Sequence, residues 1–368
     1  RRARGARPAR PPAPPPWALA ADADSGDQRA LAAYRARSQR MTAAELRRGP
    51  RRYEYSAPYQ FAALWRRAFH QAKGVYFNRM SYIQIVFVAV IVGILWFQTP
   101  RTEANLQDLL GALFFVGVFS AGFFAAFTAL MAFPAERAVI KRERASGSYR
   151  LSSYFMAKVL TDPIFDINYT IIFAVITYWL VGFRVEFVPF LESLVTLCLT
   201  TITSAGMGLM LSAQFHNLRE GLTALTVMML TFMLLGGFYI RRDLLPVWLS
   251  WIQYISPLYL MYAGLQIGEL EGSYYLASEN MTSVLDVYAE PATNDTLAAV
   301  GPAGRAYAER MRAVTGTLPD VIPGSRILDH RDILFRPVWA NWLMLVGISI
   351  VFRVIAFVLL RRSYKKKN

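Results

Sequence analysis

Lys158, Asp162 and Asp166 stand four residues apart, so one helix face would carry an ammonium and two carboxylates within an apolar stretch. Carboxylates at such a position can relay protons or pair with a charged substrate. They can equally be structural, paired with Lys158 or reaching for headgroup water, with Pro163 kinking the turn between them. Arg353 precedes Arg361 by eight residues, about 12 Å of helix, a depth similar to that of Asp166. A pair between Arg353 and Asp166 is therefore one expectation. A second cluster alternates in sign: Glu136, Arg137, Lys141, Arg142, Glu143 and Arg144. On a short helix beside a membrane it would offer ion-pairing points to a soluble partner, or it is a solvated, positively biased loop.

Two apolar groups invite a different chemistry, that of binding greasy molecules. Phe119, Phe123 and Phe127 recur at helical spacing with Phe124 beside them, and Met228, Met229, Phe232 and Met233 cluster farther along. Methionine adapts to varied ligands, but both groups also suit core packing or lipid contact. Ser204, Gly206 and Gly208 allow close helix approach. Other chemistries lack their residues. The sequence holds no Gly-x-x-x-x-Gly-Lys-Ser/Thr phosphate cradle and no Gly-x-Ser-x-Gly elbow. His70, His216 and His330 are scattered, and Cys198 is the single cysteine, so neither an internal disulfide nor a metal site is expected.

The elements that position these residues follow from composition. Of the 368 residues 55% are hydrophobic and only 18% charged, which argues against an ordinary soluble enzyme. The net charge of +15 does not indicate nucleic acid, because it is concentrated in the first 79 residues, with the remainder almost neutral. Proline and arginine dominate residues 1–16, a composition expected to be disordered. Phe61, Leu64, Trp65 and Phe69 then recur opposite Arg66, Arg67 and Lys73, predicting an amphipathic helix at a membrane surface.

Charge-free runs cover 80–100, 109–135, 167–183, 193–218, 221–240 and 337–352. A bilayer core needs about 20 apolar residues, so the third and sixth runs must extend past Asp162, Asp166 and Arg353. A seventh run, 244–268, is broken by Pro246 and Pro257 and crowded with Trp248, Trp251, Tyr254, Tyr259 and Tyr262. That pattern predicts a re-entrant or interfacial hairpin. The basic leader, the loop around Arg137–Arg150 and the tail from Arg361 all carry positive charge, which places each in the cytoplasm. Only an even number of crossings satisfies all three. Residues 269–336 then lie outside, where Asn280 and Asn294 begin glycosylation sequons; the sequon at Asn168 falls within a span.

Several motifs carry a resemblance. Glu136-Arg137, Arg142-Glu143-Arg144 and Gly147-Ser148-Tyr149-Arg150-Leu151 resemble the coupling region of the G subfamily (white/brown type) of ABC transporters. Gly111-Ala112-Leu113-Phe114-Phe115, Gly236-Gly237-Phe238-Tyr239-Ile240, the run from Pro246 to Pro257 and Glu269-Leu270-Glu271-Gly272 resemble it too, in order from about Gln60 to Arg362.

The resemblance implies an all-α membrane protein of six transmembrane helices, with an amphipathic connecting helix, a cytoplasmic coupling helix and a re-entrant helical hairpin before a large external loop. The expected organisation is a basic leader (1–57), the connecting helix (58–79), the membrane domain (80–362, external loop 269–336) and a basic tail (363–368). It further implies that the second and fifth spans line a substrate cavity on a two-fold axis. Phe123 or Phe124 falls at the position of a substrate-stacking phenylalanine, and Phe238 and Tyr239 at a hydrophobic plug. Glu136 to Arg144 would meet an ATP-binding domain.

That domain, with its ATP and Mg²⁺, is absent from these residues, and 29–52 resembles the linker that follows it, so a longer product or a separately encoded ATPase is expected. Family members often carry cysteines in the last external loop; this loop has none. The partners implied are the bilayer, the ATP-binding domain and a second half-transporter, identical or related, with no nucleic acid. Both termini are expected in the cytoplasm, with the body in a plasma or organelle membrane. The rival readings are a stand-alone ABC-2 permease with a separate ATPase, and a non-transporting membrane scaffold or receptor.

Overall fold

The structure, a computed structural model, describes residues 56–145, 149–215, 217–240, 242, 245–277, 289–315, 320–331, 333 and 337–365. The leader, Asn280 and the end of the basic tail lie outside the described residues.

Helix α1 spans Ala57–Tyr76, opening on Pro58, whose fixed φ suits a first helical turn. Phe61, Leu64 and Phe69 are half-buried and Arg66 and Arg67 exposed, as the amphipathic pattern predicts, but Trp65, expected on the apolar face, is exposed as well. The chain bends by 66° into α2 (Arg79–Leu95), whose first turn is capped by the Asn78 side chain. Ile83, Phe87, Ile94 and Leu95 of α2 are exposed, a surface suited to lipid.

The second span is one long helix built from three parts: α3 (Glu103–Gly117), a π-helical turn (Val118–Phe123) and α4 (Phe124–Ala145). The predicted short coupling helix is not a separate element; Glu136 to Ala145 continue α4 beyond Pro134 without a break. Pro134 has no amide to offer the carbonyl of Leu130, and Ser212 of a neighbouring helix donates to that carbonyl at 2.7 Å. The helix therefore runs through its proline.

Helix α5 (Leu151–Val181) takes in Lys158, Asp162 and Asp166 and ends at Gly182, whose left-handed φ of 79° closes the C-terminus. Helix α6 (Phe187–Gln214) packs against α4, α5 and the last helix, making it the hub of the bundle. A Cβ at Gly208 would meet the Ala126 backbone, so the small-residue stretch does permit the close approach expected of it. Helix α7 (Leu218–Leu234) is followed by a non-helical segment, then α8 (Val247–Ile255) and α9 (Pro257–Leu270). The hairpin breaks at Ser256–Pro257, where Ser256 Oγ caps the Tyr259 amide at 3.2 Å. Trp248 and Trp251 of α8 are exposed, whereas α9 is buried along its whole length.

Beyond α9 the chain forms a small α/β layer. Strand β1 (Tyr274–Leu276) pairs antiparallel with β2 (Val321–Pro323), Tyr275 opposite Ile322. Helices α10 (Asn294–Ala299) and α11 (Gly301–Thr315) lie between the strands in sequence, and α12 (Gly324–His330) follows them. Leu276, Val300, Ala308 and Val321 form its own apolar cluster. The described residues of this layer pack by strand pairing and apolar burial. Helix α13 (Val338–Lys365) closes the bundle against α6.

Among the described residues, four helical stretches are long and apolar enough to cross a bilayer, and the α1–α2 pair makes a fifth if it is one bent span. Helix α7, at 17 residues, occupies the place expected for the fifth of six spans.

Candidate functional site

The π-helical turn changes which phenylalanines share a face. Its hydrogen bonds run from i to i+5, and the Phe124 amide bonds the Phe119 carbonyl. Phe119 and Phe124 therefore point together toward α5, where Phe119 meets Phe173 at 5.6 Å and Phe124 meets Tyr169 edge-on at 5.2 Å. Phe123 and Phe127 stack on each other at 5.9 Å on another face. The single aromatic face expected from α-helical spacing is split in two. Gly117 and Gly122 flank the change: a Cβ at Gly122 would sit 2.7 Å from Leu258 of α9, so the hairpin presses against the irregular turn.

Phe123 and Phe127 pack on the margin of the main core, as do half-buried Met228 and Met233 of α7. Met229 and Phe232 are instead buried inside it. Val227, Leu230 and Leu234 of α7 are exposed, giving an uncharged apolar face next to Met228 and Met233 in sequence. The methionine group is thus divided between core and surface.

At the end of α7, Gly237 adopts φ 85°, and a Cβ there would press on the Tyr259 ring at 3.2 Å. This turn places Phe238 flat on Phe114 of α3, 5.0 Å between centroids, and edge-on to Tyr262 of α9 at 6.1 Å. Tyr239 packs edge-on to both Phe114 and Phe238 but remains 56% exposed. The expected plug pair is one half-buried ring and one open ring.

At the opposite end of the bundle the charged residues form a network within the chain. Arg67 of α1 bridges to Glu143 of α4 at 2.7 Å, and Tyr149 donates to the same carboxylate at 2.7 Å. The hydrogen bond that Arg67 donates to Glu143, despite partial desolvation, holds its guanidinium above the ordinary pKa. Glu136 accepts from Tyr154 and from Lys158, the latter at 2.7 Å. Gln60 of α1 accepts the Arg150 amide at 3.0 Å. Arg137 donates to the Phe215 carbonyl at 3.4 Å, and Arg142 is exposed. The side chains of Lys141 and Arg144 lie outside the described residues. Glu136 and Glu143 therefore tie α1, α4 and α5 together, a use that charge alternation alone could not reveal.

The intramembrane charges pair as the structural reading has it. Lys158 lies 3.5 Å from Asp162, and Asp166 accepts from Thr128 at 3.2 Å. Arg353 does not reach Asp166; it donates to the carbonyls of Ile202 at 2.8 Å and Ser349 at 3.2 Å. Helix α13 faces α6 instead.

One buried pair was invisible in the sequence. Arg101, between α2 and α3, meets Glu269 at the end of α9 at 2.7 Å, both side chains buried. The Arg184 amide donates to the other Glu269 oxygen at 2.8 Å, and Leu276 of β1 donates to the Arg101 carbonyl at 3.0 Å. Only the three-dimensional pairing brings these distant residues together. Among the described residues no three His, Cys, Asp or Glu side chains form a metal-binding group.

Comparison with known proteins fits this architecture. Residues 59–270 match the ABC-2 type transporter family. The chain is 40% identical to ABC transporter G family member 22 of Arabidopsis thaliana over 55% of this chain and 27% of the relative. It is 33% identical to family member 14 of the same plant over 61% and 34%. To the bovine (Bos taurus) broad substrate specificity ATP-binding cassette transporter ABCG2 it is 26% identical over 75% and 38%. The chain spans about a third of the length of these relatives. It belongs to the ABC-2 type transporter family, as a G-type ABC transporter membrane domain.

Proposed function

We propose that this chain is the membrane-spanning half of an ATP-driven exporter of lipid-like or amphipathic molecules. The observation that carries the reading is the uncharged, half-exposed apolar surface of the second and fifth spans: Phe123, Phe127, Met228 and Met233 beside exposed Val227, Leu230 and Leu234. A second copy or a related half-transporter would cover that surface and enclose a cavity. Without fixed charge, such a cavity selects by apolar area and shape, as a site for greasy cargo does. Both termini would face the cytoplasm in a plasma or organelle membrane, and residues 269–336 the exterior.

An ATP-binding domain holding ATP and Mg²⁺ would press on α4 beyond Pro134. Because Glu136 and Glu143 link that extension to α1 and α5, force applied there reaches the connecting helix and the third span directly. Phe238 and Tyr239 would seal the outer mouth against their symmetry mates.

The test joins the chain to an ATP-binding domain and reconstitutes it in vesicles. Met228→Glu or Phe127→Glu should abolish movement of a fluorescent amphipath while leaving assembly intact. Unaltered transport in both variants would remove this surface from the pathway. An absence of ATP-dependent movement of any amphipath, with ATPase and assembly intact, would instead favour a scaffold or receptor.

A further inference from the structure

A cavity of about 390 Å³ lies beneath α1, between α4 and α5, apart from the surface assigned to cargo. Leu64, Phe124 and Met131 supply apolar wall, and the rings of Tyr76 and Tyr169 line it as well. Its charged side holds Glu136, Lys158 and Asp162. Lys158 serves both carboxylates, at 2.7 and 3.5 Å. A third carboxylate, Asp166, sits behind Thr128 of the wall and accepts its hydroxyl at 3.2 Å. The remaining cation of the lining, Arg67, is engaged with Glu143 at 2.7 Å. Two carboxylates of the lining therefore share one ammonium, with Asp166 behind the wall, in surroundings that strengthen electrostatic attraction.

Such a site favours added positive charge. The aromatic faces make an organic cation the better occupant than a hydrated metal ion, because ring quadrupoles attract a weakly hydrated ammonium and the apolar wall holds its body. Anionic heads meet the carboxylates and are disfavoured. We propose that this cavity binds an amphipath bearing a cationic nitrogen, its head near Asp162, Glu136 and the two tyrosines and its body against Leu64, Phe124 and Met131. The occupant touches the connecting helix and both helices that the glutamate network joins, so it bears on the chain's docking end. The cationic nitrogen can belong to a free amphipath or to an aminophospholipid headgroup.

The probe is a benzophenone-tagged alkyl trimethylammonium, compared with the uncharged ether and the sulfonate of equal chain length. The full chain in phosphatidylglycerol nanodiscs is photolabelled, and labelled peptides are mapped by mass spectrometry, normalised to labelling of the exposed α2 face. The cation should label 64–76 and 124–136 about tenfold more than either congener, the ratio expected of one charge-assisted contact. Asp162→Asn should remove that preference. Ala132→Trp, which fills the cavity from its wall, should remove labelling altogether. Equal labelling by the three heads, or preference for the sulfonate, overturns the proposal, and this comparison needs no variant. Competition by added phosphatidylethanolamine assigns the site to a lipid headgroup; its failure to compete assigns it to a free amphipath. Both outcomes presuppose the cation preference.

Discussion

Ser212 Oγ of α6 donates to the Leu130 carbonyl at 2.7 Å, the acceptor that Pro134 leaves without an amide four residues on. Ser212 also accepts the Phe133 amide at 3.3 Å, so one buried hydroxyl repairs the second span at its proline. Ser212→Ala should therefore destabilise the domain by about 1–3 kcal/mol, the usual cost of leaving a buried polar group unpartnered. With Pro134→Ala present, residue 134 regains its amide and the cost of Ser212→Ala should fall by about 1 kcal/mol. Thermal unfolding of the four proteins of this cycle checks it. Equal costs in both backgrounds would mean that Ser212 does not compensate for the proline.

Glu143 and Arg67 are partly exposed, 27% and 45% at their side chains, so their bridge contributes little to stability, roughly 0.2–1 kcal/mol. Glu143→Arg should leave the unfolding temperature nearly unchanged. In a transporter completed with its ATP-binding domain the same variant should uncouple hydrolysis from transport, because α1 and α4 lose their tie. Adding Arg67→Glu restores the opposite charges in swapped order and should recover part of the coupling. Normal coupling in Glu143→Arg would make the bridge a surface ornament.

How much could be read beforehand depended on whether the signal was local. The apolar runs marked every helix of the bundle, and Pro246 and Pro257 marked the hairpin, because hydropathy and proline act within one segment. The π-helical turn was hidden: the side chains that lie close against its glycines, Leu258 and Met261, are far away in sequence. That one turn separated Phe119 from Phe123. Arg353 was given the wrong partner, since period fixes rise along a helix and not the neighbour it faces. Arg101 and Glu269 carried no local signal of pairing.

The Arg101–Glu269 bridge is buried and joins the second span's entrance to the hairpin and β1. Removing one partner strands the other charge, so Glu269→Gln should cost about 3–5 kcal/mol. Replacing both by apolar residues, Arg101→Met with Glu269→Leu, should cost less than either single change. Protease sensitivity of 271–336 should rise in the single variants first. A neutral Glu269→Gln would show that the external layer is held by its strand pairing alone.

Orientation is open to direct measurement. Asn294 begins α10 in the small α/β layer, whereas Asn168 lies within α5 and accepts a hydrogen bond from Tyr82 at 3.0 Å. Glycosylation should modify Asn280 or Asn294 and spare Asn168, and Lys365–Lys367 should react only with reagents on the cytosolic side. Labelling of that tail from outside would overturn the even count of crossings.

Phe238 and Tyr239 differ in how they can be tested as a gate. Phe238 lies on Phe114 at 5.0 Å, so Phe238→Ala removes an aromatic pair worth about 0.5–1.5 kcal/mol beyond its buried area. Its effect on transport would be mixed with lost packing. Tyr239 is 56% exposed, and Tyr239→Ala should change protomer stability by no more than about 0.5 kcal/mol. If the open ring seals the outer mouth against a second copy, Tyr239→Ala should raise passive leak or alter efflux in the assembled transporter while the amount inserted stays constant. Tyr239→Phe keeps the ring and should behave as the unmodified chain. The competing role is an interfacial anchor, since a tyrosine at a membrane boundary satisfies both water and lipid. An anchor predicts less protein inserted by Tyr239→Ala, with transport per folded molecule unchanged, and that result would remove the gate.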